Sequence, residues 1–141
     1  YDRWGGLDLW LHTAIHAAPL APAGHIGPKD LAKSMAINIE ATSRLIAYVS
    51  PLLGQDGQAV FFDDPRGGTQ FFGAYGATKA AQIALARSWQ AESVKTGPQV
   101  KVLTPEPMPT ATRGRFYPGE DRAALTDPVD EAARLLPMIL G

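Results

Sequence analysis

The chain has 141 residues, 45% of them hydrophobic and 19% charged, a composition that excludes wholesale disorder and suits one domain with its own core. Its 13 Lys and Arg against 14 Asp and Glu give a net charge of −1, which argues against an electrostatic nucleic-acid binder, and the absence of cysteine excludes disulfides, thiol catalysis and cysteine metal sites. No apolar run approaches the roughly 20 residues of a membrane helix, so a soluble, cytoplasmic protein with no membrane or nucleic-acid partner is expected. The chain opens on Tyr1 rather than Met, so part of a longer polypeptide is expected.

The first apolar run, Leu7 to His12, follows Gly5-Gly6 and reads as a strand buried on both faces. Ala17 to Pro28 holds prolines at 19, 22 and 28 and glycines at 24 and 27, which makes it a loop. Asp30 is the expected N-cap of an amphipathic helix over 30–50, with Leu31, Met35, Asn38, Thr42, Leu45 and Val49 on one stripe. Asn38 is out of place there, because its amide competes for backbone hydrogen bonds.

Ala59 to Phe62 predicts a second strand, ending in the loop chemistry of Asp63-Asp64-Pro65-Arg66-Gly67-Gly68. A helix over 74–94 follows, with Ala77, Ala81, Ala84 and Ser88 on a small-residue face that another helix can approach closely. Val100 to Leu103 predicts a third strand, stopped by Pro105, Pro107 and Pro109. Asp127-Pro128 starts a last helix to Leu140, its regularity limited by Pro137. Strands alternating with helices predict an α/β fold with a parallel sheet, whose ligand sits outside the carboxyl ends of the strands. Those ends are His12-Thr13-Ala14, Asp63-Asp64 and Thr104-Pro105-Glu106.

Tyr75-Gly76-Ala77-Thr78-Lys79 carries the most chemistry. Residues i and i+4 share a helix face, and an ammonium beside a phenol stabilises the phenolate and lowers its pKa. Such a pair donates a proton to a carbonyl oxygen as hydride arrives at the carbon. The plain alternative is an exposed Tyr and Lys on a solvated helix face.

Taken in order, these features resemble the second part of the short-chain dehydrogenase/reductase family. Leu7 to Ile15 looks like the family's strand 4, Gly57 to Asp64 like strand 5 and Val100 to Thr104 like strand 6, within a Rossmann-like doubly wound parallel sheet. Residues 1–141 then form a partial domain of that fold. The resemblance makes Tyr75 and Lys79 the catalytic pair, Asn38 the holder of a water in the proton relay to the lysine, and Asp64, or Asp63 beside it, the occupant of the catalytic serine position. It implies NAD or NADP as cofactor, met by His12, Ala14, Tyr75, Lys79, Pro105 and Thr110. It also implies a small-molecule carbonyl or alcohol substrate and a homo-oligomer built through helices 30–50 and 74–94.

The departures are specific. None of the 14 glycines forms a Gly-x-Gly pair, so the turn that holds the pyrophosphate is not in these residues. Asp64 stands where a serine would donate a hydrogen bond, and an ionised aspartate only accepts one. Glu106 replaces a glycine near the expected nicotinamide. A catalytically impaired relative serving as a binding or assembly scaffold is the alternative to the oxidoreductase. His12 and His16, four apart, have no evident third ligand, and no metal site is expected. Arg113 and Arg115 read as a phosphate contact or a solvated loop, and Trp4, Trp10 and Trp89 as core or interface.

Overall fold

A computed structural model describes residue 3 and residues 5–141, so Trp4 lies outside the described residues. The chain forms two compact units, Tyr1–Leu103 and Thr104–Gly141.

The first unit runs through β1 (Leu9–His12), a 3-10 turn (Ala23–His25), α1 (Pro28–Met35), a π-helical turn (Ala36–Glu40), α2 (Ala41–Leu53), β2 (Gln58–Phe62), α3 (Gly73–Glu92) and β3 (Gln99–Leu103). The three strands form one parallel sheet in the order β1-β2-β3, with Leu11 beside Val60 and Val60 beside Lys101. The sheet is open and flanked by helices, as a βαβ chain dictates. Leu53, Ala59, Phe61, Ile83, Ala86, Trp89 and Val100 form the core, with Trp10, Ile46, Val49 and Val102 packed against it.

Several boundaries and faces depart from the sequence reading. β1 begins at Leu9 because the Leu7 amide donates to the Leu52 carbonyl at 2.8 Å, which draws it off the ladder. The strand is not buried on both faces: Trp10 joins the core while Leu11 is 44% exposed. The helix expected over 30–50 starts at Pro28, whose fixed φ suits the first helical position and whose missing N–H costs nothing there. Asp30 therefore lies in the first turn, and Gly27 takes the cap. The helix passes Pro51 to Leu53; one backbone hydrogen bond is lost, and Leu53 is buried in the core.

The helix is also interrupted by the π turn, and its stripe is not the expected one. Ser34, Asn38 and Thr42 are fully buried, whereas Leu31, Met35 and Leu45 are exposed. A π turn takes more residues than an α turn, so the buried line advances by four residues through 34, 38 and 42. α3 spans Gly73–Glu92 rather than 74–94 and buries Tyr75, Thr78, Lys79, Gln82, Ile83, Ala86 and Trp89 on one side, leaving Ala77, Ala84 and Ser88 exposed.

Gly97 has φ +62°, and a Cβ there would lie 2.1 Å from the Gln55 carbonyl oxygen. Gly97→Ala is therefore expected to cost more than the ~1 kcal/mol of a left-handed alanine, because backbone must also move. Urea denaturation checks this; a loss below ~0.5 kcal/mol would show that the turn reorganises freely.

The second unit holds α4 (Ala111–Phe116), a 3-10 turn (Arg122–Ala124) and α5 (Pro128–Leu140). Asp127 caps α5 by accepting from the Val129 amide at 2.8 Å, and the helix continues through Pro137. Glu131, 1% exposed, accepts from the Glu106 amide at 2.8 Å and from two nitrogens of Arg134 at 2.6 and 2.9 Å. Those bonds hold the Glu131 carboxyl below its ordinary range, the Arg134 bond first and the Glu106 bond second. No helix of the described residues is long and apolar enough to cross a membrane.

Candidate active site

The site lies where the β2 strand ends and α3 begins. Asp63, just past β2, still donates its amide to the Leu103 carbonyl at 2.7 Å. The chain then turns on Asp64, whose Oδ1 accepts from the Arg66 amide two residues on at 3.1 Å, an Asx turn. The turn is thus real loop chemistry, and the same carboxylate also does site chemistry. Its oxygens form an ion pair with the Arg66 guanidinium, through Nη2 and through Nε at 2.8 and 3.1 Å. Arg66 also stands over the rings of Phe72 and Tyr75, 5.3 and 5.9 Å from their centroids.

The loop can lie this close to α3 because Gly76 has no side chain: a Cβ there would be 3.1 Å from the Gly67 Cα. This close approach accounts for the second residue of the Tyr-Gly-Ala-Thr-Lys run. Phe71 precedes the helix with φ +70°, a left-handed conformation costly for an aromatic residue.

Tyr75, 4% exposed, donates its hydroxyl to Asp64 Oδ2 at 2.7 Å. Burial pushes its phenol well above the ordinary value, the hydrogen bond and charge of Asp64 push it further, and Arg66 opposes them. Burial also pushes Asp64 up, but the hydrogen bonds from Arg66 and Tyr75 outweigh it and leave the carboxyl below its usual range. Asp64 is therefore ionised at neutral pH.

Lys79, one turn along α3, is 5% exposed, and its ammonium donates to Gln82 Oε1 at 2.6 Å. Burial lowers its pKa to about 8, against the pull of Asp64 and Asp63. The Tyr75 hydroxyl and the Lys79 ammonium thus face different partners, Asp64 and Gln82. Asn38 is fully buried: its Oδ1 accepts from the His16 amide at 2.7 Å, and its Nδ2 donates to the His16 carbonyl and to Thr78 Oγ1 at 2.9 and 3.0 Å. Its backbone carbonyl accepts from Thr42 Oγ1 at 3.0 Å and from Gln82 Nε2 at 3.2 Å. An asparagine in mid-helix is explained by this: its amide splices the loop after β1 onto the helix.

His12 is buried at the end of β1, with Nε2 3.1 Å from Thr42 Oγ1. Burial lowers its pKa first and the Lys79 charge second. Ala14 is exposed in the extended segment beyond it. The structure therefore brings Tyr75, Lys79, Asn38, Asp64 and His12 into the first unit at the strand ends. Pro105 and Thr110 belong to the second unit, where Thr110 caps α4 by accepting from the Arg113 amide at 3.2 Å. Arg113 pairs with Glu120 at 2.6 and 2.7 Å and covers the Tyr117 ring, a loop-fixing role. Among the described residues no group of three or more side chains is arranged to hold a metal ion.

Sequence reasoning missed Arg66, Thr42 and Gln82. Arg66 had a signal in the Asp-x-Arg spacing of an Asx turn, and Gln82 in lying three residues beyond Lys79 on the same helix face. Thr42 was placed on an apolar stripe and proved to be part of a polar one.

The donor set at the strand ends, a buried hydroxyl and an ammonium, is of the kind that meets the ribose and amide of a nicotinamide nucleotide. Nothing in the 141 residues supplies a Gly-x-Gly cradle for its pyrophosphate. The residues present fit the nicotinamide end of such a group.

Comparison with known proteins agrees. The family described as enoyl-(acyl carrier protein) reductase matches residues 1–133. A sorbitol dehydrogenase of Cereibacter sphaeroides is 29% identical over 109 residues, covering 74% of this chain and 42% of that protein. The crystal structure of a short chain dehydrogenase from Shigella flexneri superposes with a TM-score of 0.90 at 28% identity, covering 99% of this chain and 56% of the other. One from Escherichia coli CFT073, complexed with NADPH, gives 0.90 and 28%, covering 99% and 59%. The chain thus spans about half the length of the relatives it matches. A parallel sheet with a Tyr-x-x-x-Lys helix after its second strand, matched along nearly all of its length, places the chain in the short-chain dehydrogenase/reductase family of oxidoreductases.

Proposed function

We propose that this chain is the catalytic portion of an oxidoreductase that moves a hydride between NADH or NADPH and a small carbonyl or alcohol, and that it supplies the second part of a Rossmann-like domain. The observation that carries the reading is the buried Tyr75 hydroxyl at the strand ends, with the Lys79 ammonium one turn further along the same helix. Within the first unit, His12, Ala14, Tyr75 and Lys79 would hold the cofactor, which would supply or accept the hydride when bound.

Tyr75 is the proton donor. Its hydroxyl proton passes to the carbonyl oxygen as that oxygen gains charge, and Tyr75 is left as a phenolate to be reprotonated. The Asp64 carboxylate opposes that phenolate, and the Arg66 guanidinium beside it offsets the opposition. A phenol held above its ordinary pKa stays protonated at all physiological pH values. That keeps the proton in place for reduction, though a weaker acid donates it less readily, and works against oxidation, which needs the phenolate from the start. Asn38 fixes the loop after β1 through its side-chain amide. The homo-oligomer would use the exposed Leu31, Met35, Leu45 and Tyr48 of the first helical segment and the small exposed face of α3.

A second reading, a binding or assembly scaffold, is favoured by one observation: the Tyr75 hydroxyl is taken up by an ionised Asp64, which accepts hydrogen bonds and donates none. Calorimetric titration of NADPH and NADH into the longest available polypeptide, followed by turnover of a carbonyl panel, separates the two. Tyr75→Phe is expected to lower turnover by about 10²–10⁴-fold with cofactor affinity unchanged. Cofactor binding without turnover in the parent protein would support the scaffold, and turnover unaffected by Tyr75→Phe would remove Tyr75 from the chemistry.

A further inference from the structure

Gln82 has no part in the chemistry above, yet it is the hub of the buried polar layer. It is fully buried, and so are Asn38 and Thr42, while His12 and Lys79 are 4% and 5% exposed. Gln82 Oε1 accepts from Lys79 Nζ at 2.6 Å. Its Nε2 lies 3.2 Å from the Asn38 carbonyl oxygen, 3.1 Å from Thr42 Oγ1 and 3.3 Å from His12 Nε2. An ammonium only donates, so Lys79 fixes which end of the amide is oxygen, and the two amide hydrogens then serve the Asn38 carbonyl and Thr42 Oγ1. β1, the π turn, α2 and α3 are tied together at this one side chain.

We propose that Gln82 is a positioning residue for Lys79: it bridges the Lys79 ammonium directly to the Asn38 carbonyl, the place where a relay water was expected, and so sets where that ammonium points. The inference rests on the reading of Lys79 as a working group of the site. A carboxamide accepts and donates hydrogen bonds but does not readily pass a proton on, so Gln82 anchors the lysine and does not relay through it. The ionisable groups acting on Lys79 are Asp64 and Asp63 beyond β2, with His12 on β1 joined through the Gln82 amide and Tyr75 one turn back on α3.

The test is NMR of lysine ammonium groups in the full chain. In the unmodified protein, the Lys79 NH3+ signal is expected to persist at pH 6, protected from exchange, while those of the exposed Lys29, Lys33 and Lys95 are broadened away. Gln82→Glu places a carboxylate against the ammonium and is expected to raise the Lys79 titration midpoint by at least one unit, and Gln82→Met, which removes the acceptor, to lower it. A midpoint unmoved in either folded variant overturns the proposal; if neither variant folds, a Lys79 signal as labile as those of the three exposed lysines does so. A moved midpoint in a protein without turnover would sink the catalytic reading and leave this one standing.

Discussion

Replacing Asp64 with asparagine is expected to lower the titration midpoint of the Tyr75 phenol by at least one unit and to raise carbonyl reduction near neutral pH by about tenfold. The argument is electrostatic. Asp64 Oδ2 stands 2.7 Å from the Tyr75 hydroxyl, and its carboxyl is held below its usual range, so it is charged throughout the range in which the protein works. A phenolate formed there would face a full negative charge at hydrogen-bond distance, worth several kcal/mol even at an effective dielectric constant of about 20. Asparagine removes that charge and keeps an oxygen for Tyr75 and Arg66. The absorbance of tyrosinate, read as the difference between the Asp64→Asn chain with and without Tyr75→Phe, reports the midpoint directly. An unmoved midpoint would mean that burial alone holds the phenol up. A fall in turnover would mean that the ionised carboxylate is itself needed.

The largest loss of stability is expected from Phe61→Ala, at about 3–5 kcal/mol. Phe61 is fully buried in the middle strand, its ring 5.3 Å from that of Trp10, 5.4 Å from His12 and 6.3 Å from Trp89. Three aromatic rings from β1 and α3 meet around it, and rings of that rigidity cannot close over the space left by a phenyl group. Against a typical total of about 5–15 kcal/mol, such a loss leaves little. Urea denaturation followed by tryptophan fluorescence measures it. A loss below ~1.5 kcal/mol would show that β1 and α3 collapse onto each other when the ring is gone.

The strands and the long helix α3 were legible because each depends on residues close in sequence: apolar runs bounded by glycine and proline, and a Tyr-Lys pair at helical spacing. The strand-end location of the site followed from the order of those elements. What was not legible depends on partners far apart. Asn38 meets His16 across 22 residues and Thr78 across 40, and His12 meets Gln82 across 70. No local pattern announces such bonds, so Gln82 and Ser34 drew no reading and Asn38 read only as out of place on a mostly apolar stripe. The π turn escaped for a related reason. Its wider pitch is set by which side chains must face inward, and a search at 3.6 residues per turn looks past it. Asp64 was legible as a turn residue, but Arg66, which neutralises it, lay in what looked like ordinary loop.

The polar layer between the π turn and α3 also shapes how the chain responds to temperature. Unfolding would hydrate Ser34, Asn38, Thr42, Thr78, Lys79 and Gln82 along with the aromatic cluster, and newly hydrated polar surface subtracts from the heat-capacity increment that apolar surface adds. Meanwhile Leu31, Met35 and Leu45 already meet solvent in the folded chain and add less than buried leucines would. The stability curve of this chain is therefore flatter than its hydrophobic composition suggests, with a weaker decline on cooling and a broader plateau on warming.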